Sequence, residues 1–291
     1  MPRVRHPAPA PFRRAAAYAV AAAMAAAITG VGVRAASAVS GTEVVVFFRS
    51  AVGLLVLLPW MLRPGGGGLL TQRPGGHLWR AGFGICAMYA FFYGLAHLPL
   101  SEALLLTYST PLYLPFLAWI GLGERPPAIA VPAALVGLAG IACIVKPGDV
   151  SLASPAPYVG AASGLLAAAA MVSIRRIADT EPATRIVFYF SGLSTLVSSV
   201  PLAWSWRTPD LRTLGLLVGT GVLATVVQLC LTRAYSLAPA ARIGPFTYTS
   251  VIFAGLAGWV LWGEVPDAAS LLGMSLVIGS CVMVGWRAQA A

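Results

Sequence analysis

Apolar blocks of about 20 residues recur from one end of this chain to the other. Each is long enough to cross about 30 Å of hydrocarbon as a helix. Hydropathy and turn chemistry place ten of them, at about 15–35, 43–62, 79–96, 101–121, 127–145, 157–175, 183–203, 211–233, 241–262 and 267–286. The breaks carry turn residues: RPGGGG from Arg63 to Gly68, KPGD from Lys146 to Asp149 and RTPD from Arg207 to Asp210. Of the 291 residues 58% are hydrophobic and only 10% charged, where a soluble domain carries about a quarter charged. The chain reads as an all-α membrane protein of ten transmembrane helices.

The net charge of +10 would suggest a nucleic-acid partner in a soluble protein. Here the arginines sit in turns and tails, where they orient a chain in a bilayer, so no nucleic acid is expected. With the N-terminus in the cytoplasm, fourteen of the 19 basic residues fall on the inner side: Arg3, Arg5, Arg13, Arg14, Arg63, Arg73, Arg80, Arg125, Arg175, Arg176, Arg185, Arg233, Arg242 and Arg287. Arg34, Lys146, Arg207 and Arg212 fall outside, and Arg49 lies within a span. That imbalance predicts both termini in the cytoplasm. Residues 1–14 read as a cytoplasmic basic tail, disordered before Phe12. Arg13-Arg14, an Ala-rich run and Ala-Ser-Ala at 36–38 resemble a secretory signal. Arg34 just before that site, and the helix count, favour a retained first span. Cys86, Cys143, Cys230 and Cys281 lie inside apolar blocks without metal spacing and read as small buried side chains.

The two halves of the chain repeat. A shift of 140 carries Pro99 onto Pro239, Thr107-Tyr108 onto Thr247-Tyr248, and Ser109-Thr110 onto Thr249-Ser250. It also carries Trp119 onto Trp259, Gly123-Glu124 onto Gly263-Glu264 and Pro126 onto Pro266. A shift of 142 carries Phe48 and Pro59 onto Phe190 and Pro201. Five spans is an odd number, so the second unit must enter the membrane from the opposite side. Two inverted five-helix repeats, 15–146 and 157–287, follow, with a substrate site expected near the midplane between them.

These features resemble the EamA family of the drug/metabolite transporter superfamily over about 15–287. The resemblance rests on the duplication, the Gly-Glu endings of spans four and nine, Phe47-Phe48-Arg49, and RAYSLAPAARIGPFTYTSVIFA at 233–254. It implies an exporter or exchanger of small metabolites at the plasma (inner) membrane, acting as monomer or homodimer, and names no ligand.

Within the spans, polar residues are few and therefore informative. Thr107, Tyr108, Thr110 and their counterparts Thr247, Tyr248, Thr249 put hydroxyls at membrane depth, where each needs a partner or a wet cavity. Pro111 and Pro245 beside them remove backbone donors. One reading is two bent helices lining a solute path with both tyrosines facing it. The other is hydroxyls bonding back to their own helix. Tyr89 and Tyr93 share one helix face and suit either an aromatic cavity wall for an organic solute or an interfacial belt. Arg49, about 10 Å inside span two, must pair or face water. Glu102 is its first expected partner and Glu43 its second, as a gate or a structural pair. Gln228 is read equally as solute ligand or helix cross-link. Glu124 and Glu264 close spans four and nine two residues before a proline and read as helix-end caps or hinges.

These residues favour a secondary transporter of a small solute, amino-acid-like or amphipathic. An intramembrane enzyme needs a nucleophile and base or a metal cluster at depth, and His6, His77 and His97 all fall in tails or turns. No catalytic residue, metal site or cofactor is expected, and no Walker sequence GxxxxGK[ST] is present. An accessory membrane protein is the other alternative.

Overall fold

The computed structural model describes residues 9–37, 40–63, 68–98, 100–146, 154–206, 208–263 and 265–289. All the regular structure among them is helical: α1 (Pro9–Ser37), α2 (Thr42–Leu62), α3 (Pro74–His97), α4 (Leu100–Thr107), α5 (Thr110–Leu122), α6 (Ala130–Val145), α7 (Ala156–Ile177), α8 (Ala183–Ser205), α9 (Leu211–Leu237), the single turn α10 (Ala240–Ile243), α11 (Thr249–Trp262) and α12 (Ala268–Gln289). A 3₁₀ segment, Gly244–Tyr248, joins α10 to α11. The stretch read as a disordered tail before Phe12 differs in part: α1 already begins at Pro9, and residues 1–8 lie outside the described residues.

Seven of the helical segments are long and apolar enough to cross a membrane, and Ala130–Val145 and Ala268–Val284 are shorter apolar helices. Helix α3 is 24 residues long, but its first two turns carry His77 and Arg80, both buried. It starts five residues before the sequence reading puts it. Arg80 therefore lies inside a helix among its neighbours, not at its start.

Large apolar side chains cover the outside. Leu55, Trp60, Phe116, Ile120, Leu196 and Trp204 are all more than half exposed, a surface that suits lipid tails rather than water. Inside, small residues let the backbones close. Helix α1 packs on α9 and α11, α3 on α7, α2 on α8 and α9, α5 on α7, and α6 on α12. At the α6–α12 crossing two glycines bring backbone against backbone. A Cβ on Gly140 would lie 2.6 Å from the Gly273 carbonyl, and one on Gly273 2.5 Å from the Gly140 carbonyl. Neither position has room for alanine.

Two spans end alike. Gly123 closes α5 and Gly263 closes α11, both at φ 69°. In that left-handed conformation each N–H turns back to satisfy carbonyls of the last turn, Ala118 and Trp119 in one and Gly258 and Trp259 in the other. A side chain there would be strained, which explains why the repeated Gly-Glu pair begins with glycine.

Candidate functional site

The hydroxyl runs sit where the fourth and ninth spans break. Tyr108 and Ser109 form a turn between α4 and α5, with Pro111 in the first turn of α5. In the other half Pro245 opens the 3₁₀ segment that ends at Tyr248. Proline cannot donate into the ladder, so each break frees carbonyls. Nearby hydroxyls take them. Thr110 Oγ1 donates to the Thr107 carbonyl at 2.7 Å, Thr247 Oγ1 to Gly244 at 2.7 Å and Thr249 Oγ1 to Phe246 at 2.7 Å. Thr107 shares a 2.9 Å hydrogen bond with Ser163 of α7. Four threonines are thus occupied by their own helix or its neighbour.

The two tyrosines part company. The Tyr108 hydroxyl meets Ser250 Oγ at 3.0 Å beside a cavity of about 290 Å³ between α1, α4 and α11, also lined by Ala27, Val31, Leu104 and Val251. Tyr248 is fully buried, and its hydroxyl donates to the Ala134 carbonyl of α6 at 3.1 Å. In this structure only Tyr108 stands beside the cavity, while the Tyr248 ring lies over Gly137. Tyr89 and Tyr93 line no described cavity. Both are 37% exposed, and Tyr93 stacks on His97 at 4.1 Å, as an interfacial pair does.

A second polar centre lies between α2, α3, α8 and α9. Arg49 of α2 lines a void of about 10 Å³ with Ser50, Met88, Ser191, Ser194, Thr225 and Gln228, about the room of one water. Among the described residues no carboxylate lies within ion-pair distance of Arg49. Glu43 is exposed, and the Glu102 side chain lies outside the described residues. Gln228 links two helices, because its Oε1 accepts from Arg80 Nη2 at 3.0 Å. Arg80 also stacks over the Phe190 ring at 4.1 Å. Sequence reading missed Arg80 by counting it with the basic residues of the inner face at the start of span three. Its place six residues into a helix that begins with Pro74 is the signal that could have found it.

Glu124, expected as a helix-end cap or hinge, pairs with an arginine of another helix. Glu124 Oε1 accepts from Arg175 Nε of α7 at 2.9 Å, and Arg175 also donates to the Ser236 carbonyl at 3.0 Å. Glu124 therefore ties the ends of α5, α7 and α9 rather than capping α6. Glu264 lies outside the described residues. At another helix end Lys146 pairs with Asp267. Hydrogen bonds from Lys146 and Ser270 hold the Asp267 carboxyl well below its usual range.

A third cluster joins the segment before α3 to the α7–α8 turn. Glu181 is buried there, accepting from Thr71 at 2.7 Å, the Gln72 N–H at 3.2 Å and Arg185 at 2.8 Å. Burial alone would raise its pKa, but the hydrogen bonds from Thr71 and Arg185 outweigh that and lower it. His77 Nε2 lies 3.5 Å away, with its ring stacked on Tyr189 at 4.4 Å. Desolvation pushes the His77 pKa down, against the pull of Glu181. The cysteines are a further correction: Cys86 is exposed, and the other three are only partly covered.

Comparison with known proteins fits this architecture. A pseudopaline exporter of Pseudomonas aeruginosa is 36% identical over 252 residues, covering 86% of this chain and 88% of that protein. An S-adenosylmethionine uptake transporter of Rickettsia bellii is 27% identical over 82% of each chain. A riboflavin transporter of Vibrio cholerae is 27% identical over 82% of this chain and 81% of that one. One solved structure, described only as a crystal structure of a protein, superposes with a TM-score of 0.84 at 18% identity. It covers 96% of this chain and 100% of its own, a likeness of fold alone. These relatives are transporters, not enzymes. The family model matches residues 13–146 and again 156–286: this multi-pass membrane protein belongs to the EamA-like transporter family.

Proposed function

We propose that this protein is a secondary transporter that carries a small metabolite out of the cell across the plasma membrane. It works by alternating access between two inverted five-span units, 15–146 and 157–287, with both termini in the cytoplasm. The observation that carries the reading is the pattern of helix packing. Let the halves exchange, so that α1 trades with α7, α2 with α8, α3 with α9, α5 with α11 and α6 with α12. Then α1–α9 becomes α7–α3, α1–α11 becomes α7–α5, and α2–α8 and α6–α12 map onto themselves. A two-fold relation of this kind lets each half take the other's conformation, which converts an inward-open form into an outward-open one.

The side-chain contacts support the same ten-span plan. Residues that the plan puts on the inner face meet there: Glu124 with Arg175, and Thr71 with Glu181. Lys146 and Asp267, both assigned outside, pair with each other. Tyr108, with Ser250 beside it, is the polar wall of the solute path in this reading, and Gln228 and Arg49 form a second polar centre on it. Export is favoured because the relative named an exporter is the more similar one, at 36% identity against 27%.

The test is counterflow in proteoliposomes preloaded with unlabelled solute from a panel of amino acids, S-adenosylmethionine, riboflavin and polyamines. Wild-type protein should drive transient accumulation of at least one labelled member. If no member moves, and single cysteines at the two membrane faces show fixed rather than reciprocal accessibility, the chain is an accessory protein and the proposal fails.

A further inference from the structure

We propose that the polar centre at Arg49 and Gln228 binds the oxyanion group of the transported solute, a carboxylate or a phosphate, with the Arg49 guanidinium and the Gln228 amide as direct ligands and Arg80 as the residue that positions Gln228. This rests on the transporter reading above and adds a substrate class to it.

The first argument is charge. In the ten-span plan Arg49 lies about 10 Å from the outer end of α2 and Arg80 about 9 Å from the inner end of α3, and the Gln228 side chain bridges them, lining the void with Arg49 and accepting from Arg80. Arg80 is 2% exposed, and Arg49 is near enough to act on it as a like charge. Among the described residues neither has a carboxylate within ion-pair distance. A cation at membrane depth is costly and is retained where it pairs or serves a pathway. Two together, in a medium where like charges repel strongly, call for an anion between the helices. Arg80 Nε and Nη1 are buried without hydrogen-bond partners, so this guanidinium holds donors in reserve.

The second argument is direction. Gln228 Oε1 is taken by Arg80, which leaves the Gln228 amide nitrogen as the free end of a side chain lining the void. Three of the four hydroxyls around it are already engaged: Ser50 donates to the Val46 carbonyl at 3.0 Å, Ser194 shares a 3.0 Å hydrogen bond with Ser50, and Thr225 donates to Gly221 at 2.8 Å. The strong free donors are therefore the Arg49 guanidinium and the Gln228 amide, and a planar fork of guanidinium N–H groups matches an oxyanion.

The third argument is position. The shift of 142 carries Arg49 onto Ser191, and the shift of 140 carries Met88 onto Gln228. All four line the same void, so it sits on the relation between the two halves, where a carrier must hold its solute. Glycines keep the place open. A Cβ on Gly53 would come within 3.0 Å of the Ser191 and Thr225 hydroxyls, and one on Gly84 within 2.4 Å of Arg80 Nη1. The void of about 10 Å³ is a contracted form of the site, which widens when the halves rock apart.

The experiment uses the full chain in nanodiscs at fixed ionic strength. Thermal unfolding is measured with citrate, glutamate, inorganic phosphate, AMP and, as the cationic control, spermidine; the same solutes are run in counterflow. A carboxylate or phosphate probe should raise the wild-type midpoint saturably by several degrees, and spermidine should not. The responding probes tell carboxylate from phosphate. Arg49→Gln should abolish the shift, and Arg49→Lys should keep part of it. In buffer without these probes Arg49→Gln should be at least as stable as wild type, because it removes a repelled charge; a structural arginine would instead leave it less stable. Arg80→Gln should weaken the shift about tenfold in probe concentration. Transport of neutral or cationic solutes with no oxyanion response overturns this inference and leaves the transporter reading intact. Oxyanion binding with no movement of any solute overturns the transporter reading instead.

Discussion

The repeated tyrosines give a direct test, because the structure assigns them different work. Removing the Tyr248 hydroxyl as Tyr248→Phe keeps the ring and its packing over Gly137, where a Cβ would lie 2.3 Å from the ring. It deletes one buried hydrogen bond, 3.1 Å to the Ala134 carbonyl. That carbonyl sits inside α6 and keeps its helix bond, so no acceptor is stranded. The loss is then that of an ordinary hydrogen bond, about 1 kcal/mol, or roughly 2–4 °C in the unfolding midpoint of a chain this long. Counterflow should be unchanged. Tyr108→Phe removes a hydroxyl that meets Ser250 at 3.0 Å beside the larger cavity. Ser250 already donates to the Thr247 carbonyl at 2.8 Å and stays satisfied, so the midpoint should hold within about 1 °C while the transport rate falls severalfold. Both variants are measured in detergent for stability and in liposomes for rate. Slower transport with an unchanged midpoint in Tyr248→Phe would refute the division of labour, as would the reverse pattern in Tyr108→Phe.

Two other contacts carry predictions. Arg175→Ala breaks the pair with Glu124, whose side chain is 13% exposed, and leaves Glu124 and the Ser236 carbonyl without it. The expected cost is about 2–3 kcal/mol, below the roughly 3–5 of a fully buried pair, and the neutral double variant Glu124→Gln with Arg175→Met should recover most of it in thermal unfolding. The His77–Glu181 cluster predicts acid sensitivity. Both pKa values are lowered in the folded chain. Their stabilisation is therefore full above the ordinary values of 6.5 and 4.5 and is lost as pH falls below them. Melting midpoints taken from pH 7.5 to pH 4 should drop in two stages, and His77→Gln should remove the first; a single stage unaffected by that change would count against it.

Much of this was legible in the residues, and what was missed has a common cause. The apolar helices and the bends beside Pro111 and Pro245 follow from local signals: apolar length and proline. The repeat was legible too, because a shift of 140 keeps order over many positions. Side-chain partners were not. Arg80 meets Gln228 across 148 residues, Thr71 meets Glu181 across 110, and Arg175 meets Glu124 across 51, and no periodicity reports such distances. The twin tyrosines show the limit most clearly. Similar sequence surroundings suggested one role, yet the other half supplies Ser250 to Tyr108 and the first half supplies Ala134 to Tyr248. Repetition fixes where a side chain stands on its own helix; the opposing surface decides what it does. The same logic separates Arg49 from Ser191, its counterpart. One half brings a charge and the other a hydroxyl to a single void.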